Sequence, residues 1–263
     1  MIASILNTLP GNFPWKHSIQ YFSTIDSTNT RAKLLAAQGA PHGTVLIAGH
    51  QSGGRGRMGR SFHSPEGMGI YLSVILRPHC PATDLMHLTC AAGVAMCDAV
   101  EAAAGFRPGI KWTNDLIWGK RKLGGILTEL SVKHDGTADF AVVGIGINCC
   151  QQPEDFPEEI RDIAASLSMV SGQPVAPATL AAAMVIQLQR MADTLFDGTW
   201  IPRYAADCVT VGREISIVRG DTVRHGTAIG VDPEGALIVR FPDGHEEAVA
   251  SGEVSIRGMY GYV

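Results

Sequence analysis

The chain has 263 residues, 46% hydrophobic and 17% charged, a globular composition with room for one large domain and a small one. Its formal net charge of −4 argues against a protein held on nucleic acid by bulk electrostatics. No uninterrupted apolar run reaches the roughly 18–20 residues that span a bilayer, and no basic patch with an apolar core opens the chain as a signal peptide would.

Residues 1–20 carry little pattern. A first helix is expected from Asp26 or Ser27, whose side chains can accept orphan N–H groups, to Gly39. Residues 44–48 read as a buried strand. Residues 51–60, rich in glycine, read as a loop without regular structure. Residues 69–76 read as strand. A long helix is expected over 84–104, with Leu85, Leu88, Ala92, Ala95, Met96 and Ala99 on one face. A short strand over 110–112 should run into a turn at Asn114-Asp115. Strands follow at 125–131 and 140–147, then a second long helix over 177–196 with Pro177 in its first turn. After Val209 the texture changes to short strands at 214–218, 223–231, 236–241 and 246–250. Turn signals at Arg219-Gly220-Asp221, Asp232-Pro233-Glu234-Gly235 and Pro242-Asp243-Gly244 join them. The expected fold is α+β: a mixed β-sheet with helices over 1–209 and a small all-β barrel over 210–263.

Cys80, Cys90, Cys97, Cys149, Cys150 and Cys208 have no metal-type spacing and read as reduced thiols. The nine histidines form no metal-type cluster, and none is assigned as a metal ligand. The loop Gly53-Gly54-Arg55-Gly56-Arg57-Met58-Gly59-Arg60 is either a solvated basic segment or a closure over an anion, with glycines letting backbone N–H groups approach. Lys111 and Lys122 are either rim charges or point charges aimed at a phosphate or carboxylate. Asn114-Asp115 is either an Asx turn, or an amide for phosphate or ribose beside a carboxylate for an arginine or a divalent cation. Gly144-Ile145-Gly146-Ile147-Asn148 is either a tight sheet edge or a place where a ligand approaches the backbone. Ser27-Thr28-Asn29 is either a helix cap or a polar cluster that reads a urea or amide group.

In this order, Ser27-Thr28-Asn29, Gln51 with the glycine–arginine loop, Lys111-Trp112-Thr113-Asn114-Asp115-Leu116, Lys122-Leu123-Gly124-Gly125-Ile126-Leu127 and Gly144-Ile145-Gly146-Ile147-Asn148 strongly resemble the biotin–protein ligases. The resemblance runs from about residue 20 into Gly252-Glu253-Val254-Ser255-Ile256-Arg257 near the C-terminus. It implies a catalytic domain like those of class II aminoacyl-tRNA synthetases and biotin–lipoate ligases, with an SH3-like barrel. It implies biotin contacts from Ser27, Thr28, Asn29, Gln51, Arg55, Gly56, Arg57 and Lys122. ATP or adenylate contacts would come from Arg57, Arg60, Phe62, Lys111, Asn114, Asp115 and Asn148. Lys122 and Arg57 are the implied catalytic cations.

The implied reaction activates biotin with MgATP as biotinyl-5′-AMP, then transfers it to a lysine of a biotin carboxyl carrier protein. No covalent enzyme intermediate and no tightly bound cofactor are needed, and Mg²⁺ would travel with ATP. The expectation is a cytoplasmic enzyme without nucleic-acid or membrane partners; a homodimer stays open. Two departures stand out. Thr113 occupies a position where the family usually has proline, and about 25 residues precede Ser27, which leaves no room for the helix-turn-helix of the repressor members. Three alternatives remain. A lipoate or octanoate ligase would share the chemistry but want a longer apolar slot. A nucleic-acid module would use the arginine loop alone, and a non-catalytic biotin binder would need neither Lys111 nor Asn114-Asp115.

Overall fold

The computed structural model describes residues 1–219, 221–250 and 253–256. Gly220, Gly252 and Arg257, named above, lie outside the described residues. The first part of the chain carries α1 (Ile2–Thr8), β1 (Ile19–Ile25), α2 (Thr28–Ala37), β2 (Thr44–Gln51), β3 (Gly69–Leu76) and α3 (Leu88–Ala104). Next come β4 (Gly109–Lys111), β5 (Asp115–Trp118), β6 (Arg121–Val132), β7 (Ala138–Asn148), α4 (Glu158–Arg161), α5 (Leu167–Ser171), α6 (Pro177–Asp193) and α7 (Trp200–Asp207). The last part carries β8 (Glu214–Arg219), β9 (Thr222–Val231), β10 (Leu237–Arg240), β11 (Glu246–Val249) and β12 (Glu253–Ile256).

Strands β1 to β7 form a seven-stranded sheet in the order β1-β2-β3-β7-β6-β5-β4. Only the β1–β2 pair is parallel, so the sheet is mixed. Its central strands are covered on both faces. In β2, Val45 and Ile47 pack toward α3 and α6, while Leu46 packs toward α2 with Ile75 and Val142. This period of two assigns each side chain to a face. Ser73, opposite Leu46 on one side and Gly144 on the other, therefore belongs to the α2 face.

Strands β8 to β12 form a second, antiparallel sheet in the order β11-β10-β9-β8-β12. Its buried Ile215, Ile217, Leu237, Val239 and Val254 join the same core as α3 and α6. The α+β fold with a small β unit is thus the one expected, and β12 adds a strand the turn signals had not marked.

The long helix expected over 84–104 is broken. A 3-10 turn at Ala82–Leu85 precedes α3, with His87 at the helix N-cap position. The stretch Ala82–Ala104 is long and apolar enough by composition to cross a membrane, yet most of its apolar length is buried inside the protein, as a core helix. The expected turn is present but lies over 112–114 and ends at Asn114; Asp115 already opens β5, which pairs with both β4 and β6. Helices α1, α4, α5 and α7 are short and had no legible period. The second long helix ends at Asp193, three residues earlier than expected.

Candidate active site

The N-terminus of α2 stands over the middle of the sheet. Ser27 caps the helix, its Oγ accepting the Thr30 N–H at 3.4 Å. The cap presents Thr28 and Asn29, each 4% exposed, to the β3-β7-β6 floor. Gly144 and Gly146 make that floor possible. A Cβ at Gly144 would lie 1.8 Å from Asn29 Oδ1, and one at Gly146 would lie 2.6 Å from the Phe62 ring. Of the two readings of the glycine row, a tight sheet edge or a ligand's approach to the backbone, the structure shows close packing, by this chain's own Asn29 and Phe62 side chains.

A cleft of about 470 Å³ opens above that floor. Its polar wall is a connected network. Thr28 donates from its backbone N–H (2.8 Å) and its hydroxyl (3.1 Å) to Gln51 Oε1. Gln51 Nε2 donates to Ser64 Oγ at 3.2 Å. Ser73 Oγ lies 2.8 Å from Thr28 Oγ1 and 2.6 Å from Asn29 Oδ1. Asn29 Nδ2 donates to Leu127 O at 3.1 Å and to Glu129 Oε2 at 3.0 Å. Glu129 in turn pairs with Lys33 at 2.7 Å and Arg55 at 3.5 Å. Burial pushes the Glu129 carboxyl up, but hydrogen bonds from Lys33 and Asn29 and the charges of Lys33 and Arg55 outweigh it and hold it below the usual carboxylate range.

A second cleft of about 720 Å³ adjoins the first, lined by Arg60, Ser61, Lys111, Trp112, Asp115 and Val254. Gly56, Arg57, Phe62, Asn114 and Lys122 belong to both clefts and form the junction. There Arg57 Nη1 donates to Asn114 Oδ1 at 2.9 Å, and Asn114 Nδ2 donates to Ile126 O at 3.1 Å. Lys122 Nζ lies 2.6 Å from Asp115 Oδ1, with side chains 22% and 14% exposed. Asp115, expected to hold an arginine or a divalent cation, holds this lysine. Asn114, expected to wait for a phosphate or ribose, already fixes the loop arginine.

The structure thus gathers Ser27, Thr28, Asn29, Gln51, Arg55, Gly56, Arg57, Phe62, Asn114 and Lys122 around the inner cleft. Arg60, Lys111 and Asp115 fall in the outer one. Asn148 is the exception. Its Nδ2 donates to Ala165 O at 3.0 Å and its Oδ1 accepts from Gln151, so it braces a turn and lines neither cleft. Asn29 lines the cleft, but its amide is already spent on Ser73, Leu127 and Glu129. Ser73, Glu129, Lys33 and Val254 were missed by sequence reasoning. No local signal marks them: Ser73, Glu129 and Val254 come from elements distant in the chain, and Lys33, one turn beyond Asn29 on α2, reads as an ordinary helix-face charge until Glu129 is seen beside it.

The segment Lys111-Trp112-Thr113-Asn114 is held from three sides. The Trp112 N–H donates to Thr210 Oγ1 at 2.9 Å, the Trp112 indole Nε1 to Gly235 O at 2.9 Å, and the Tyr204 hydroxyl to Thr113 O at 3.1 Å. The Trp112–Thr113 peptide is cis. Among the described residues no three His, Cys, Asp or Glu side chains converge as a metal cage. The six cysteines are free thiols, and burial pushes Cys90 and Cys149 up to about 12, away from thiolate chemistry.

A polar pocket that meets a cation-lined cleft at a pair of cations suits condensation of a carboxylate with a nucleotide phosphate. Comparison with known proteins gives that geometry a family. Residues 21–148 match the Biotin/lipoate A/B protein ligase family, and residues 210–257 match the Biotin protein ligase C terminal domain. The bifunctional ligase/repressor BirA of Bacillus spizizenii is 37% identical over 227 residues, covering 85% of this chain and 70% of the relative. The chain belongs to the biotin protein ligases. The biotin–[acetyl-CoA-carboxylase] ligase of Paracoccus denitrificans is 32% identical over 243 residues, 89% of this chain and 98% of that one. The Aquifex aeolicus biotin protein ligase solved with biotin and ATP superimposes with a TM-score of 0.77 at 27% identity, covering 91% of this ligase and 98% of the other. As a member of this family the chain is an enzyme, and its two sheets coincide with the two matched regions apart from Ile19 and Gln20 at the start of β1.

Proposed function

We propose that the inner cleft takes biotin, the outer cleft takes MgATP, and the junction joins them as biotinyl-5′-AMP for transfer to a lysine of a carrier protein. The observation that carries this reading is the shared junction: Arg57 and Lys122 belong to both clefts at once. A carboxylate at the end of the inner cleft and an α-phosphate in the outer one would meet between them. Negative charge that builds on the phosphate oxygens then falls on preorganised cations. Lys122 would bridge the carboxylate and the α-phosphate, while Arg57 would cover the adenylate. Phe62, at the junction, offers a ring face to adenine. No residue of the chain needs to become acylated. Mg²⁺ belongs to the ATP, held by its phosphates and water.

Residues 1–209 supply the chemistry in this reading, while the second sheet borders the outer cleft through Val254 and would present a face to the carrier protein. The six free thiols suit a cytoplasmic setting. A net charge of −4 supports a ligase role without DNA binding for these two domains. The test is pyrophosphate release with ATP plus biotin against ATP plus lipoate. Release with biotin alone is expected; equal release with lipoate would overturn the assignment of the inner cleft.

A further inference from the structure

The hydrogen bonds of the inner cleft have a direction that follows atom by atom. Leu127 O and the Glu129 carboxylate are acceptors only, and Lys33 and Arg55 keep that carboxylate ionised. Asn29 must therefore turn its Nδ2 toward them, at 3.1 and 3.0 Å, and its Oδ1 toward Ser73. Asn29 Oδ1 is an acceptor, so the single Ser73 hydroxyl proton goes to it across 2.6 Å. Ser73 then has no proton for Thr28, 2.8 Å away.

On the other side of Thr28 stands Gln51 Oε1. The Thr28 backbone N–H, a pure donor at 2.8 Å, fixes that orientation of the amide. Gln51 Nε2 turns to Ser64 Oγ, whose own proton goes to Phe62 O at 2.9 Å. The Thr28 hydroxyl thus sits between two acceptors, and its proton stays with one of them. It shows the cleft lone pairs only.

We propose that Glu129 is a positioning residue for substrate recognition: through Asn29 and Ser73 it holds the Thr28 hydroxyl as a hydrogen-bond acceptor, so that the cleft selects a ring N–H donor such as the ureido group of biotin. The inference rests on the ligase reading above. It also gives a role to a carboxylate held behind the cleft wall, in contact with Asn29, Lys33 and Arg55. Glu129 works by fixing the polarity of Thr28, and Lys33 and Arg55 offset its charge.

The test replaces one ureido N–H of biotin by a ring oxygen. The resulting cyclic carbamates, one for each nitrogen, keep the shape and reverse the polarity at one atom. The wild-type enzyme should adenylate the worse carbamate with kcat/KM about a hundredfold below that for biotin, because a buried acceptor then faces an acceptor. In Glu129→Gln, whose side chain can donate to Asn29, that ratio should shrink by about tenfold. The KM for biotin should rise while the KM for ATP holds. Thr28→Val should shrink the ratio too, and Thr28→Ser should retain it. If Glu129→Gln melts below the assay temperature, the Thr28 pair decides. An unchanged ratio in Glu129→Gln or in Thr28→Val overturns the proposal, as does a wild type that accepts the carbamates as readily as biotin. A wild type that releases no pyrophosphate with biotin sinks the ligase reading instead.

Discussion

Lys122 stands on β6 and not on the loop, so its ammonium is in place before any ligand arrives. Asp115 holds it there at 2.6 Å, and an incoming phosphate competes with that carboxylate. Losing a cation that stabilises a transition state costs about 3 kcal/mol or more, upward of a hundredfold in rate. Lys122→Ala should therefore lose adenylate formation. The Asp115 carboxylate left behind keeps the Asn114 amide as a donor at 3.2 Å, so the fold should survive. Pyrophosphate release at the wild-type rate, beside an unchanged melt, would remove Lys122 from the chemistry. At this scale the sequence was legible where residues carry a motif: Arg57, Asn114, Asp115 and Lys122, singled out by motif, all line the two clefts. Glu129 was not. Its partners Asn29 and Lys33 lie 100 and 96 positions away, and a glutamate between Thr128 and Leu130 reads as an ordinary strand residue until α2 is seen above it.

The glycine–arginine loop is closed upon itself. Gly56 N–H donates to Arg60 O at 2.7 Å and Phe62 N–H donates to Gly54 O at 2.9 Å, with a 3-10 turn at Arg57–Gly59 between them. Met58 at the tip is 74% exposed and takes the left-handed region at φ 55°. A segment with few buried contacts and its anchors at Asn114 and Glu129 opens at low free energy. Ligand phosphate would add new partners for its arginines. Amide hydrogen exchange over residues 51–64 should slow when biotin and ATP are added together. Equal protection in both states would mean that the loop does not close over the adenylate. Elements were legible where period and length were strong, as in β2, β3, β7 and α6. β5 was not, because four residues carry no period, and the Asn-Asp turn signal marks the turn over 112–114 without showing that Asp115 already pairs in a strand. The break before α3 was also hidden, since Leu85 and Leu88 continue the apolar face across it.

The two sheets act as one body. The Trp112 indole donates across to Gly235 O, and Gly235 also packs on Cys90 of α3. Trp112→Phe would remove the indole donor and leave Gly235 O with only the Cys90 thiol at 3.8 Å. A buried carbonyl so deprived costs about 1–3 kcal/mol, which at about 2–4 °C per kcal/mol for a chain of this size is roughly 2–12 °C in Tm. Calorimetry should show that drop, with one cooperative transition in the wild type. A wild type that melts in two separate steps would show the sheets to be independent. The same contact has a consequence for synthesis. Trp112 and Gly235 are 123 positions apart, so at about 5–20 residues per second the indole waits roughly 6–25 s on the ribosome for its acceptor. During that interval the patch around Trp112 and Cys90, later sealed by the small sheet, faces the cell uncovered, and a nascent-chain chaperone has that long to find it.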